Sequence, residues 1–301
     1  MVSRMIDIRI PATSANLGAG FDALGLALNY YNYVRMEESD RAEIISLDGT
    51  VVPTDESNLI YASAKSLYEI CGKDFKGLHI EQTNNIPMTR GLGSSSACII
   101  AGLAGANRLM GNLLSLDEMV NLSAQIEGHP DNTAPALLGG IVTAVFDGKV
   151  VHWVKQEVHP SLKFVVIIPD FELKTEKARA CLPTEVSHKD AVYNLSRAAL
   201  FSASLLTGKY ENLRTAVHDK LHQPYRMELI PHGREVFDIA YSLGAYASYL
   251  SGAGPSIMAI VDDENKYFTG KMRFSLDNIG LSSWQVKELV IDNEGTTITE
   301  V

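Results

Sequence analysis

With 301 residues, 21% of them charged and 46% hydrophobic, the chain has the make-up of a globular protein able to bury one large core or two medium ones. A formal net charge of −10 and a pI near 5.3 exclude nucleic acid as a main partner. The longest apolar stretches, 99–106 and 134–146, fall short of the roughly 18 residues of a membrane span, and Cys71, Cys98 and Cys181 form neither a disulfide framework nor a zinc spacing. No membrane partner and a cytoplasmic location are expected.

In chain order, 1–10 alternates Ile with Asp and Arg, has no signal-peptide core, and reads as a first strand. Strands are also expected at 31–37, 42–47 and 77–83, with a helix over 58–70 that stops before Gly72. The small-residue apolar segment 97–106 reads as a buried helix. Ser115-Leu116-Asp117-Glu118 is a capping box that starts a helix running to Glu127 and closed by Gly128. Apolar runs at 141–146, 150–154 and 164–168 read as strands, the first two joined by an Asp147-Gly148 hairpin turn. Helices follow at 175–181, 189–206, 210–218 and 233–243, then strands at 245–250 and 257–261. The segments 266–274 and 284–292 complete a βαβ-like tail.

Six stretches carry chemistry. Gly91-Leu92-Gly93-Ser94-Ser95-Ser96-Ala97 places two glycines and three serines at a helix start, whose free N–H groups and positive dipole favour an oligophosphate. It has no Lys after the second Gly, so it is not a P-loop, and it lacks the dinucleotide fingerprint. Taken alone, such a turn is more often simple capping. Pro11-Ala12-Thr13-Ser14-Ala15-Asn16-Leu17-Gly18-Ala19-Gly20-Phe21-Asp22 follows a strand and offers Asn16 and Asp22 as polar groups in apolar surroundings. Glu127-Gly128-His129-Pro130-Asp131-Asn132 is either a turn or a polar cluster, with Glu127 able to ligate Mg²⁺. Thr175 and Arg179 share one helix face; Arg226 lies in Gln223-Pro224-Tyr225-Arg226; Leu250–Ser256 is a second Gly-rich turn containing Gly252.

Together these stretches resemble the GHMP small-molecule kinases, in motif order and over essentially the full chain. The resemblance implies an α+β, two-domain GHMP kinase fold: a ribosomal-S5-domain-2-like N-terminal domain over 1–155 and a ferredoxin-like domain over 156–301, with the site in the cleft between them. It implies that Pro87, Arg90, Gly91, Leu92, Gly93, Ser94, Ser95, Ser96 and Ala97 bind ATP, with Ser96 or Ser95 and Glu127 holding Mg²⁺. It assigns Asn16, Asp22, His129, Asn132, Thr175, Arg179, Arg226 and Gly252 to the substrate. The substrate implied is L-homoserine, phosphorylated on its side-chain hydroxyl to O-phospho-L-homoserine in threonine biosynthesis, by a homodimer. The physics agrees with an amino-acid alcohol. Two Arg suit a carboxylate, Asp22 suits an ammonium, and the distal hydroxyl is left facing the γ-phosphate. Phosphoryl transfer relies on positioning rather than on a strong base. Asn132 and Asp22 are expected to orient the hydroxyl, beside Asp131, which has no evident Lys partner. A mevalonate or archaeal-type shikimate kinase is the nearest alternative, and an inactive relative that senses a metabolite is the alternative of a different class.

Overall fold

The computed structural model describes residues 5–157 and 161–301. Residues 1–4 of the expected first strand lie outside the described residues. The chain folds as β1 (Ile6–Ala15), β2 (Leu24–Glu38), β3 (Glu43–Ser46), α1 (Leu59–Ile70), β4 (Leu78–Thr83), α2 (Ser94–Leu109), α3 (Leu116–Glu127), α4 (Pro130–Leu138), β5 (Ile141–Phe146) and β6 (Val151–Gln156). Then follow β7 (Leu162–Ile168), α5 (Thr175–Ala180), α6 (His188–Thr207), α7 (Leu213–Ala216), α8 (Gln223–Met227), α9 (Gly233–Ser242), β8 (Ala247–Leu250), β9 (Ile257–Asp262), α10 (Phe268–Asn278), β10 (Gln285–Leu289) and β11 (Thr297–Glu300).

Two sheets organise these elements. One runs β11-β1-β2-β4-β3, with β5 and β6 branching from β2; the other is ordered β10-β7-β9-β8. The second is antiparallel throughout, and its strands in chain order make the βαββαβ arrangement of a ferredoxin-like domain. Every residue of β7 is buried, because the strand is covered on both faces. Phe164, Val166 and Ile168 join the core that contains Ile8, Leu28 and α2, whereas Val165 and Ile167 pack with Phe268, Met272 and Val236 under α9 and α10. The first cluster is thus shared by both sheets.

Some elements depart from expectation. A strand was expected only to Ile10, but β1 continues to Ala15, with its register to β2 shifting between Pro11 and Ala12. Residues 11–15 are buried on both sides, so they show no alternation to read. α4 occupies what reads as a turn: Pro130 sits in its first turn, where a missing N–H is harmless, and Pro135 lies inside it. From the second half of the chain, β11 returns to pair antiparallel with β1 in the first sheet, Ile6 opposite Glu300. Among the described residues, no helix is long and apolar enough to cross a membrane.

Candidate active site

α2 is preceded by Gly93, whose left-handed backbone (φ +71°) caps the helix without any side-chain hydrogen bond. The first-turn N–H groups therefore receive no acceptor from the cap, and they open toward a cleft between the sheets. Glycine is required here by its surroundings. A Cβ on Gly93 would stand 1.9 Å from Thr13 Oγ1, and one on Gly91 would stand 2.3 Å from the Ser251 carbonyl. The loop is pinned from both halves: Thr13 N–H donates to the Leu92 carbonyl (3.1 Å), and Ser251 Oγ donates to the Gly91 carbonyl (2.6 Å). Arg90 lines the cleft, but its guanidinium donates to the carbonyls of Pro169 (3.1 Å), Asp170 (3.3 Å) and Met88 (3.3 Å). It braces the loop against the segment that leads into α5.

The turn between β1 and β2 is held in an unusual conformation, with Asn16, Leu17 and Asp22 all at positive φ (70°, 41° and 56°). Non-glycine residues there are strained, and such strain gathers at functional sites. Asn16 fixes the turn, its amide donating to the Gly252 carbonyl (2.8 Å) while its Oδ1 accepts from the Asp22 N–H (3.0 Å). Asp22 faces Arg179 in a two-pronged pair, NH2 to Oδ1 at 2.8 Å and NH1 to Oδ2 at 3.1 Å. Both guanidiniums expected to bind substrate, Arg179 and Arg226, lie over the Phe21 ring, at 5.6 and 5.2 Å.

Arg226 differs from Arg179. It is 1% exposed and donates to the carbonyls of Ala178 and Gly252, both at 3.1 Å. Among the described residues it forms no ion pair. Burial, and then the charge of Arg179, lower its pKa. A buried cation with no ion pair among the described residues, only partly offset by the Asp22 and Asp131 charges, suits an anion that the protein does not itself supply.

α3 delivers Glu127 to the start of α2, where Ser96 Oγ donates to its Oε1 at 2.9 Å. Burial, chiefly, raises the Glu127 carboxyl pKa; the Asp131 charge adds to this, while His129, Ser96 and Arg179 oppose it. A hard cation would relieve that penalty, and the two oxygens suit Mg²⁺ in a site completed by phosphate oxygens and water. His129 and Asp131, at the start of α4, are hydrogen-bonded through Nδ1 and Oδ1 at 2.5 Å. Burial works against a charged His129 ring, but this bond and the Asp131 charge outweigh it, and the net shift is upward. Asp22, His129 and Asp131 form a second metal-capable group, their ligand atoms within 4.8 Å of one another. Asp22 is already committed to Arg179, and Asp131 to His129, which leaves Glu127 with Ser96 as the freer donor pair. Asn132 Oδ1 accepts from Thr13 Oγ1 at 2.8 Å, linking α4 to β1 beside the phosphate loop.

The cleft so formed is lined by Asn16, Asp22, Arg90, Gly91, Gly93, Ser94, Ser95, Ser96, Glu127, His129, Asp131, Asn132, Thr175, Arg179, Arg226 and Gly252. Three expected residues do not line it. Leu92 and Ala97 are core residues at 1% exposure, and Pro87 precedes the loop, so they shape it without facing the cleft. Thr89 and Ala253 line it without having been singled out. Thr13 stood within a quoted motif, yet nothing in sequence links it to Asn132. The enclosed part, about 120 Å³, is below the roughly 300 Å³ at which drug-sized pockets begin.

The cleft joins an open helix start to a paired-charge recess, the arrangement of a small-molecule phosphotransferase. The GHMP kinases N terminal domain model matches residues 58–140, and the GHMP kinases C terminal model matches 201–266. A homoserine kinase of Clostridium beijerinckii is 48% identical over 300 residues, covering 98% of this chain and 99% of the relative. One of Caldicellulosiruptor bescii is 46% identical, covering 99% and 98%. The crystal structure of homoserine kinase from Cytophaga hutchinsonii superposes with a TM-score of 0.88 at 30% identity, over 98% of this chain and 97% of that one. The chain belongs to the GHMP kinases and, within them, to the homoserine kinase family. A mevalonate kinase structure at 16% identity and a TM-score of 0.70 shares the fold alone.

Proposed function

We propose that this chain transfers the γ-phosphoryl group of ATP to the side-chain hydroxyl of L-homoserine, giving O-phospho-L-homoserine in the route to threonine. One observation carries the choice of substrate: a buried Arg226 with no ion pair among the described residues lies beside the Asp22–Arg179 pair. A zwitterion satisfies all three groups, its carboxylate meeting the guanidiniums and its ammonium meeting Asp22. Mevalonate and shikimate bring a carboxylate but no cation for Asp22. Steady-state turnover of ATP·Mg²⁺ with L-homoserine, mevalonate and shikimate tests this reading. A preference for either of the latter, or no turnover with any, would overturn it, and the last outcome would favour a metabolite sensor.

Mg²⁺ would be held by Ser96 and Glu127, and when bound it would neutralise charge on the transferring phosphoryl group. Glu127→Gln is expected to raise the Mg²⁺ concentration needed for half-maximal activity by roughly tenfold or more. A Mg²⁺ titration at fixed ATP checks it, and an unchanged midpoint would remove Glu127 from the site.

The chain's own part in the transfer is to place the hydroxyl oxygen in line with the γ-phosphorus. Asn132, anchored by Thr13, orients that oxygen together with Asp22 once the ammonium has drawn it from Arg179. Asp131 acts by holding His129. Asn132→Ala should therefore lower kcat at least as much as Asp131→Ala, without removing the acidic limb of the pH–rate profile. A far larger loss at Asp131, with that limb gone, would make Asp131 the base. The reading extends to a cytoplasmic homodimer, whose subunit number sedimentation analysis would measure.

A further inference from the structure

We propose that His222 is a positioning residue for the substrate carboxylate, tying the Arg226 guanidinium to the strained turn that carries Asn16 and Asp22. The inference rests on the reading of Arg226 as a carboxylate-binding group. His222 precedes α8 and is wholly buried. Its Nδ1 stands 3.3 Å from Arg226 NH1, and its Nε2 stands 2.7 Å from the Gly18 carbonyl. A guanidinium can only donate and a carbonyl can only accept. One state of the ring meets both demands: neutral, accepting at Nδ1 and donating from Nε2.

The ring also stacks on Phe21 at 5.1 Å and 20°, and Phe21 is the surface on which Arg226 and Arg179 both rest. His222 thus touches the cation, the aromatic platform beneath it, and the backbone of the 16–22 turn. Asp219 is not a partner in a His–Asp couple. Its nearest oxygen is 3.7 Å from Nε2, and its carboxylate accepts from Asn194 Nδ2 and from the N–H groups of Leu221, His222 and Gln223. Asp219 shapes the turn that presents His222, and His222 aims Arg226.

Two substitutions separate the ring's two bonds. His222→Asn keeps an acceptor near the Nδ1 position, whereas His222→Gln keeps a donor near the Nε2 position; His222→Phe keeps only the stacking. The measurements are kcat and KM for L-homoserine and for ATP, and the inhibition constant of 3-aminopropan-1-ol, which has the ammonium and hydroxyl but no carboxylate. His222→Phe and His222→Gln should raise the homoserine KM by about tenfold or more, with kcat and the ATP KM within about twofold. His222→Asn, which keeps the contact to Arg226 but not the one to Gly18, should recover part of the loss, and the inhibition constant of 3-aminopropan-1-ol should not move. Equal losses for both compounds, recovery by Gln rather than Asn, or an unchanged homoserine KM in all three variants would overturn the proposal. Where His222→Phe fails to fold, the Asn and Gln pair decides alone. Arg226→Met on the same two compounds isolates the underlying reading. If it leaves the homoserine KM unchanged, the carboxylate reading fails; if it raises that KM while the His222 variants do not, only the role of His222 fails.

Discussion

Gly93→Val is expected to reduce ATP turnover by about a thousandfold or more. The new Cβ would meet Thr13 Oγ1 at 1.9 Å and Asn132 Oδ1 at 3.3 Å, from a backbone at φ +71°. A β-branched residue cannot hold that angle cheaply, so the start of α2 must rotate or retreat. Either movement turns the first-turn N–H groups away from the phosphates and breaks the Thr13–Asn132 hydrogen bond that sets the orienting amide. Because Leu92 and Ala97 are core residues on either side, the strain also reaches the packing, and the melting temperature should fall. A coupled ADP-release assay with circular dichroism melting checks both effects. A variant with ordinary turnover would place the phosphate cradle elsewhere.

Arg226→Met is expected to separate function from stability. Removing the buried guanidinium should lower kcat/KM for L-homoserine by roughly thirtyfold to several thousandfold, as truncation of one partner of a buried charge pair does. Stability should not follow. Arg226 is a buried charge whose pKa burial lowers more than the nearby Asp22 and Asp131 charges restore it, so a side chain of similar volume and no charge is tolerated or favoured. The melting temperature should hold or rise while activity collapses, the trade expected of a group retained for its ligand. Thermal melts beside steady-state kinetics test this. A large fall in melting temperature would make Arg226 a structural residue.

The sequence makes the phosphate loop readable because its geometry is local: Gly91 and Gly93 sit where positive φ is needed, and the helix after them is marked by its apolar small residues. The α3 capping box is local too, and Ser115 and Glu118 make both of its bonds. The pairing of Asp22 with Arg179 is of another kind. It joins residues 157 apart, and only the tertiary fold decides that Asp22 meets a protein cation before it meets a substrate. β2 was expected from residue 31, yet it begins at Leu24, since its first five residues are all buried and carry no period-two pattern. α4 was hidden by its two prolines, which argue for a turn in any reading of local preference. Its buried seat at the cleft overrides them.

The pairing of β11 with β1 has a consequence for how the protein is made. Ile6 must wait for Glu300, so the outer edge of β1 stays unsatisfied while the ribosome completes the second half of the chain. The N-terminal sheet can collapse early around its helices, but its last seam closes only after synthesis has passed both sheets. Non-local closures of this sort are slow to form. Until this one forms, the bare backbone of β1 is where a nascent chain could pair with the wrong strand.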